Sequence, residues 1–558
     1  MEVSFDDDEP FVFRLNDNGS GPSLLVKVCA ERGWRMYQGC NTGLEERWNL
    51  WWRTSAFPSS SYKTLGDWQF MNHIPKGGSM CRKDNLSRLL RCMRRIYGTI
   101  YDFSPPCYHL PLEYAKLVSE CSRLRRDEEA GANVVWIHKP VAQSQGRGIF
   151  LFRSVCDMSC GTAAVVQRYI ERPLLIAGYK FDLRLYVCVP GYRPLTAYMY
   201  AEGLARFGTD KYTLSDIHNR YRHLTNSSLN KSGPRYAECK DRIGSGCKWT
   251  LTQVRKALVG RWGAAEWVMW QRIRALVTLT LLAQAAGTPP ARNCFEFYGF
   301  DVLLDDALKP WLLEVNLSPA LASDCEADVV VKQPMLHELF DLLGLPMKHT
   351  GLAKLKAPPL PTPSQHSSEE ESGTTRSASR ARTAAPRRGQ RLRRRRALPL
   401  NCVTLQKTNV RGFCWYTYSN KIMIGCWLIS SSCGAVVPES VDESWRGGYA
   451  TAASRRRAMS ACQWGNGVRW NRAIGRVGHW VRIYPHGLPT GDELPMEDVR
   501  ESVAQVTKFL RAAREVSRES GKDTSAPRDA SRDAVFEAAL REKLVEFGPH
   551  FQVWLPPF

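Results

Sequence analysis

Residues 178–187, GYKFDLRLYV, alternate polar and apolar without interruption, which predicts a strand carrying Lys180, Asp182, Arg184 and Tyr186 on one face and Phe181, Leu183, Leu185 and Val187 on the other. Residues 297–319, FYGFDVLLDDALKPWLLEVNLSP, read as two apolar strands around an acidic, proline-containing turn. On the second of these strands Glu314 and Asn316 lie two residues apart and share a face, and Asp301 on the first stands opposite them. Residues 134–152 read strand, loop, strand, and the apolar run from 165 ends another strand at Gln167, Arg168, Tyr169 and Ile170. Leu24 to Val28 is read as a strand, and WNLWW at 48–52 as packed core or a domain interface. Helical spacing sets Leu86, Leu89, Leu90, Met93 and Ile96 on one side of residues 83–97, opposite Arg88, Arg91, Arg94 and Arg95. Further helices are predicted over 262–286 and 497–518.

A chain of 558 residues exceeds one ordinary core, so a catalytic unit with additional regions is expected. Hydrophobic content of 44% with 18 tryptophans supports packed cores, and a net charge of +22 points to an acidic partner: nucleic acid, anionic membrane or an acidic protein surface. Eighteen cysteines are scattered without a CxxC pair, and the chain opens on the acidic MEVSFDDDEP, so reduced thiols in the cytoplasm are expected. Cys156 and Cys160 lack a second Cys or His pair, which favours ordinary cysteines over zinc. The apolar runs over 275–287 and 422–437 fall short of the ~20 residues that span a bilayer, so no membrane segment is predicted.

Asp301, Glu314 and Asn316 form an oxygen donor set that suits Mg²⁺, a hard ion that keeps waters and substrate phosphates; an acidic turn at the surface is the plainer alternative. In the 134–152 segment, Gly146 and Gly148 bracket Arg147 in a loop whose backbone N–H groups can come close to phosphates, and Lys139 and Arg147 add charge to that cradle. The spacing is neither a P-loop nor GxGxxG, and a glycine-containing hairpin also fits. Three charges along 180–184 suit a phosphate or metal lying over that face, or a solvated sheet face. The polar stretches 202–207 and 223–231 read as loops.

Taken in order, MNHIP, RKDNL, KP, SxGxG, QRYI, GYKFDLRLYV, GLARF, HLTN, FYGFDVLLD and WLLEVNLSP resemble the tubulin tyrosine ligase-like family of ATP-grasp ligases. The resemblance runs from about residue 48 to about 345. It implies an α+β ATP-grasp fold with nucleotide between two α+β subdomains, and ATP-dependent addition of an amino acid to tubulin. Lys139, the loop Gln145, Gly146, Arg147, Gly148 and Ile149, and Lys180 look like phosphate ligands; Gln167, Arg168, Tyr169 and Ile170 resemble an adenine hinge, and Phe181, Asp182, Thr225 and Asn226 belong with the nucleotide. Asp301, Glu314 and Asn316 match magnesium ligands, and Arg184, Lys139 and Glu314 are the implied catalytic residues. Arg206, Ser228, Lys248 and Lys332 sit where glutamate-adding members hold the free amino acid, and several cations suit its two carboxylates.

The resemblance therefore implies a polyglutamylase using ATP and Mg²⁺ on acidic tubulin tails, with free glutamate as co-substrate, acting through an acyl phosphate and forming an isopeptide bond. Its place would be the cytoplasm and cytoskeleton, including cilium, axoneme or basal body, with no nucleic-acid or membrane partner. A glycine ligase and a catalytically silent microtubule adaptor are the alternatives. Ser227 stands where many relatives carry a bulky aromatic, which bears on acceptor geometry.

The expected organisation is an N-terminal extension (1–45), a catalytic domain (46–348), a disordered basic linker (349–400) ending in RRGQRLRRRRALP, and a C-terminal region of unknown fold (401–558). The linker reads either as a solvated or nuclear-localisation segment, or as a basic tether that recruits an acidic tail through Arg393 to Arg396.

Overall fold

The computed structural model describes residues 10–38, 47–126, 134–141, 143, 145–158, 163–352, 415–418, 421–424, 452–487, 498–520 and 530–558, with backbone alone at 415–418, 421–424, 452–455, 520 and 530. The basic stretch over 354–399, with Arg393 to Arg396, and Cys160 lie outside these residues. Strands β1 (Val12–Leu15), β2 (Arg35–Met36), β3 (Leu50–Trp52) and β4 (Phe70–Met71) form a parallel sheet in the order β2-β1-β3-β4, with α1 (Ser23–Glu31) between the first two in sequence. The pairing of Phe13 with Leu50 places the stretches on either side of residue 45 in one sheet. After α2 (Lys83–Tyr97) comes an antiparallel sheet of β5 (Cys107–Leu110), β6 (Trp136–Pro140), β7 (Phe150–Phe152) and β8 (Ala164–Arg168), ordered β5-β8-β6-β7. Helix α3 (Tyr114–Arg126) covers it, Leu117, Cys121 and Leu124 packing with Trp136 and Phe152.

The largest sheet holds β9 (Leu175–Ile176), β10 (Tyr179–Tyr192), β11 (Leu195–Phe207), β12 (Lys248–Thr250), β13 (Glu296–Leu304) and β14 (Pro310–Asn316). Between β11 and β12 run the short helices α4 (Arg220–His223), α5 (Ser227–Asn230) and α6 (Tyr236–Ile243); α7 (Leu251–Trp262) and α8 (Ala264–Ala285) precede β13, and α9 (Glu326–Leu342) follows β14. Residues 356–437 form a separate unit, of which the described part is an antiparallel hairpin, β15 (Trp415–Tyr418) with β16 (Lys421–Ile424). The chain then adds α10 (Ala452–Cys462), β17 (Arg476–Val477), β18 (Trp480–Tyr484), α11 (Val499–Ser520) and α12 (Ala530–Lys543). The central order is β14-β13-β10-β11-β18-β17, antiparallel throughout, so the C-terminal region extends the sheet instead of standing apart from it. The architecture is α+β, of the ATP-grasp type.

The two faces of β10 meet different neighbours because its side chains alternate. Phe181, Leu183, Leu185 and Val187 enter the core that holds Trp267 and Trp270 of α8 and Phe509 of α11. Tyr186 and Cys188 enter a second core with Met335 and Phe340 of α9, Trp464 and Trp480. At the start of that second face, Lys180 is 5% exposed and Asp182 2%, which rules out a solvated charge stripe.

Residues 24–28 are helical, against the strand expected there. Leu24, Leu25, Val28 and Cys29 are the buried positions, a one-sided helical stripe that so short an apolar run disguises. The arginine-rich face of α2 is largely neutralised within the chain: Arg91 pairs with Glu113 at 3.1 Å, Arg94 with Asp102 at 3.0 Å and Arg88 with Asp84 at 3.5 Å.

The tail of the chain ties directly to this framework. Trp554 is fully buried and its indole N–H donates to the Tyr200 carbonyl of β11 at 2.9 Å. Arg255 of α7 bonds Glu266 of α8 at 3.0 Å and Asp533 of α12 at 2.7 Å, while Arg532 reaches the other Glu266 oxygen at 2.9 Å.

Candidate functional site

Strand register assembles the charged side chains into two rows. In one, Arg184 of β10 pairs with Asp301 of β13, which pairs with Glu314 of β14. In the other, Asp182 of β10 pairs with Arg206 of β11, which pairs with Lys248 of β12. Arg184 donates to Asp301 from Nε at 2.5 Å and from Nη2 at 3.1 Å. Arg206 grips both Asp182 oxygens, at 2.9 and 2.5 Å, and crosses between the rows to Asp301 at 2.8 Å. Burial alone would raise the Asp301 carboxyl, but the two guanidiniums outweigh it and hold it well below the usual carboxylate range.

Glu314 behaves in the opposite way: burial and the adjacent Asp301 charge raise its carboxyl, with Lys83 at 3.7 Å offsetting part of the effect. The Asn316 amide lies 3.3 Å from an Asp301 oxygen and 3.4 Å from a Glu314 oxygen. Among the described residues no group of three or more His, Cys, Asp and Glu forms a metal cluster. The Asn316 amide N–H donates to both carboxylates, and the two like charges of Asp301 and Glu314, with the Asn316 amide beside them, suit a hard divalent ion that completes its shell with water and phosphate. The residues present therefore fit magnesium.

On the neighbouring sheet Lys139, at the end of β6, donates to Gln167 of β8 at 2.8 Å; burial lowers its pKa to about 8, while Glu314 acts in the opposite direction. Gln167 in turn donates to the Pro105 carbonyl, and the Tyr169 backbone N–H to Val135. Arg168 points its side chain outward, and Ile170 is half-buried. The Tyr169 hydroxyl does not face outward; it accepts from Lys180 at 2.8 Å and meets His223 at 3.1 Å.

The glycine loop follows Lys139. Gln145, Gly146 and Gly148 all have positive φ, and Arg220 donates to the Gly146 carbonyl at 2.9 Å. Arg147 and Ile149 belong to the same turn, facing out and half-buried respectively. A Cβ at Gly146 would stand 2.8 Å from the Asn226 side-chain oxygen, so the loop and the Thr225-Asn226 pair are in close contact. Thr225 is buried, and Asn226 opens α5 with its carbonyl accepting from Asn230. Phe181 points into the core, its ring 5.4 Å from Phe207.

The residues assigned to an amino acid separate. Ser228 is exposed on α5. Lys248 and Lys332 are buried and both pair with Asp328 of α9, at 2.6 and 2.8 Å. Arg206 is committed to Asp182 and Asp301. Lys83, Asp328 and His223 were not singled out by the sequence reading. Lys83 opens the amphipathic helix within RKDNL, and Asp328 stands four residues before Lys332, a helical ion-pair spacing that could have identified it.

Residues 60–351 match the Tubulin-tyrosine ligase family. Among curated proteins, the human "Probable tubulin polyglutamylase TTLL2" is 46% identical over 60% of this chain and 56% of its own length. Its mouse counterpart is 43% identical over 60% of this chain and 62% of its own length, and human "Tubulin polyglutamylase TTLL5" is 38% identical over 53% of this chain and 24% of its own. The chain thus spans little more than half the length of the first two relatives. The family match covers just over half of the chain and contains every residue of the two charged rows: the chain belongs to the tubulin-tyrosine ligase family.

Proposed function

We propose that this chain is an ATP- and magnesium-dependent ligase that joins the α-amine of glutamate to glutamate side chains of tubulin tails through an isopeptide bond. The observation that carries the reading is the row Arg184, Asp301, Glu314 on adjacent strands, with Lys139 and Lys180 on the nucleotide side. Such a face gathers hard oxygen donors and cations, as phosphoryl transfer requires. The names of the relatives supply the amino acid and acceptor.

Transfer of the γ-phosphoryl group of ATP to an acceptor carboxylate, with ADP leaving, gives an acyl phosphate; Asp301, Glu314 and Asn316 would hold magnesium, which would supply neutralising charge. Lys139, Lys180 and the N–H groups of residues 145–149 bind and orient phosphates. Arg184 stabilises negative charge at the transferring group, and Gln167 to Ile170 hold the adenine edge. Lys248 and Lys332 receive a carboxylate of the incoming amino acid, whose neutral amine attacks the acyl-phosphate carbonyl: the isopeptide C–N bond forms, the C–O bond to phosphate breaks, and inorganic phosphate leaves with the amine proton. No covalent enzyme intermediate is required. The acidic acceptor accounts for a basic chain and for a cytoskeletal location, and among the described residues no helix is long and apolar enough to cross a membrane.

The test is incorporation of labelled glutamate, and separately labelled glycine, into purified microtubules with ATP and Mg²⁺, comparing the parent with Glu314→Gln. Glutamate incorporation that falls at least a hundredfold in the folded variant supports the assignment. Glycine incorporation moves the chain to a glycine ligase. Microtubule binding without incorporation of either amino acid favours a silent adaptor.

A further inference from the structure

The two lysines assigned to the amino acid do not stand free. Lys248 opens β12 and Lys332 lies in the second turn of α9, on elements far apart in sequence. Their ammonium groups converge on one carboxylate, that of Asp328, in the first turn of α9 and fully buried. Asp328 Oδ2 accepts from Lys248 at 2.6 Å, from the Asp324 backbone N–H at 3.2 Å and from the Cys325 thiol at 3.3 Å; Oδ1 faces Lys332 at 2.8 Å. Lys332 also donates to the Ala322 carbonyl at 2.6 Å. The carboxylate thus has the helix N-terminus, a turn N–H and two cations around it, a setting that fixes its position.

We propose that Asp328 is a positioning residue of the amino-acid site: it ties Lys248 and Lys332 to a common point and leaves the three groups with a single excess positive charge, suited to one carboxylate of the incoming amino acid. This rests on the preceding reading of the two lysines as its contacts.

A lysine is a flexible stem with a compact charge, and a ligand that had to order two such stems on arrival would lose affinity. Pairing with Asp328 orders both beforehand, and register holds Lys248 beside Arg206. Two buried ammoniums without an intervening anion also repel, and burial already disfavours the charged form of Lys332. Asp328 supplies the counter-charge between them. Arg206 is held by Asp182 and Asp301, so the lysine pair carries the uncompensated charge beside it.

The experiment compares the parent with Asp328→Asn and Asp328→Glu by three readouts: KM for glutamate, KM for ATP, and acetylation of Lys248 and Lys332 by acetic anhydride, followed by mass spectrometry with and without glutamate. In Asp328→Asn, the expected result is a glutamate KM raised about tenfold with an unchanged ATP KM, and faster acetylation of both lysines as they lose the carboxylate that holds them. Asp328→Glu recovers part of the glutamate KM. Equal acetylation of the lysines in parent and Asp328→Asn overturns the positioning role, whether or not glutamate is the substrate. A parallel change of both KM values with a lowered melting temperature also overturns it, by marking a structural residue. Failure of the parent to use glutamate, with lysine acetylation still accelerated in Asp328→Asn, refutes the substrate and leaves the positioning role standing.

Discussion

Lys180 donates to two neutral oxygens, the Tyr169 hydroxyl at 2.8 Å and the His223 carbonyl at 2.9 Å. His223 adds no like charge near neutral pH, since burial lowers its imidazole to about 4. Burial therefore brings Lys180 down to about 7, with Asp182 acting against that shift and Lys139 adding to it. A phosphate arriving beside Lys180 favours the ammonium, so the bound state takes up a proton wherever the free amine is partly deprotonated. Below about pH 7 the lysine is already charged and binding is insensitive to pH; above it, affinity for ATP falls as pH rises, by up to about tenfold per unit for one proton. Lys139, at about 8, adds a second uptake at higher pH. Isothermal titration of ATP at pH 7 to 9 in buffers of different ionisation enthalpy measures this uptake, and Lys180→Met removes the share that begins near pH 7. Affinity constant across that range would contradict the assignment.

Elements bring these residues together, and they differ in how plainly the sequence announces them. β10 was legible because its alternation is strict, and the hairpin of β13 and β14 because Asp305 to Pro310 interrupt two apolar runs. Register then places Arg184 opposite Asp301 and Asp301 opposite Glu314. The helical identity of Leu24 to Val28 was not legible, since a short apolar run fits either period. Nor was the sharing of Asp328 by Lys248 and Lys332, because eighty residues separate Lys248 from its partner and no local pattern encodes that contact. The loop between β6 and β7 is an intermediate case: its glycines were visible, their packing against Asn226 was not. Gly146 has φ +75°, and a Cβ there would meet the Asn226 oxygen at 2.8 Å. Gly146→Ala therefore strains the backbone by about 1 kcal/mol or more and pushes the loop from Asn226. The expected outcome is ATP affinity reduced at least fivefold with a melting temperature within about 3 °C of the parent, since the loop lies at the surface. Unchanged nucleotide affinity would separate this loop from phosphate binding.

At the scale of the whole molecule, the described residues from α10 onward belong to the architecture that holds the site. β18 pairs with β11 along Ala197 to Tyr200, and the other end of β11 carries Arg206. α11 supplies Phe509, Ala513 and Val516 to the core that includes Trp267 and Ile273 of α8. Arg482 of β18 donates to the His550 carbonyl at 2.8 Å, and the buried ions Arg255, Glu266 and Arg532 join α7, α8 and α12. A buried pair of this kind is a poor source of net stability but destabilises strongly when one partner is removed, so it penalises any state in which the C-terminal segment has detached. The site and the C-terminal segment should consequently melt together. Trp554→Ala tests this at a position remote from the charged rows: it deletes a fully buried ring packed 5.9 Å from Trp270, together with the hydrogen bond to Tyr200, and should destabilise by about 3–5 kcal/mol. Thermal unfolding followed by tryptophan fluorescence, with ATP binding measured at the same temperatures, is expected to show both signals shifting downward by the same amount. Loss of fluorescence in a transition that leaves ATP binding intact would mean that the catalytic strands stand without their C-terminal neighbours, and that the pairing of β18 with β11 is dispensable to the site.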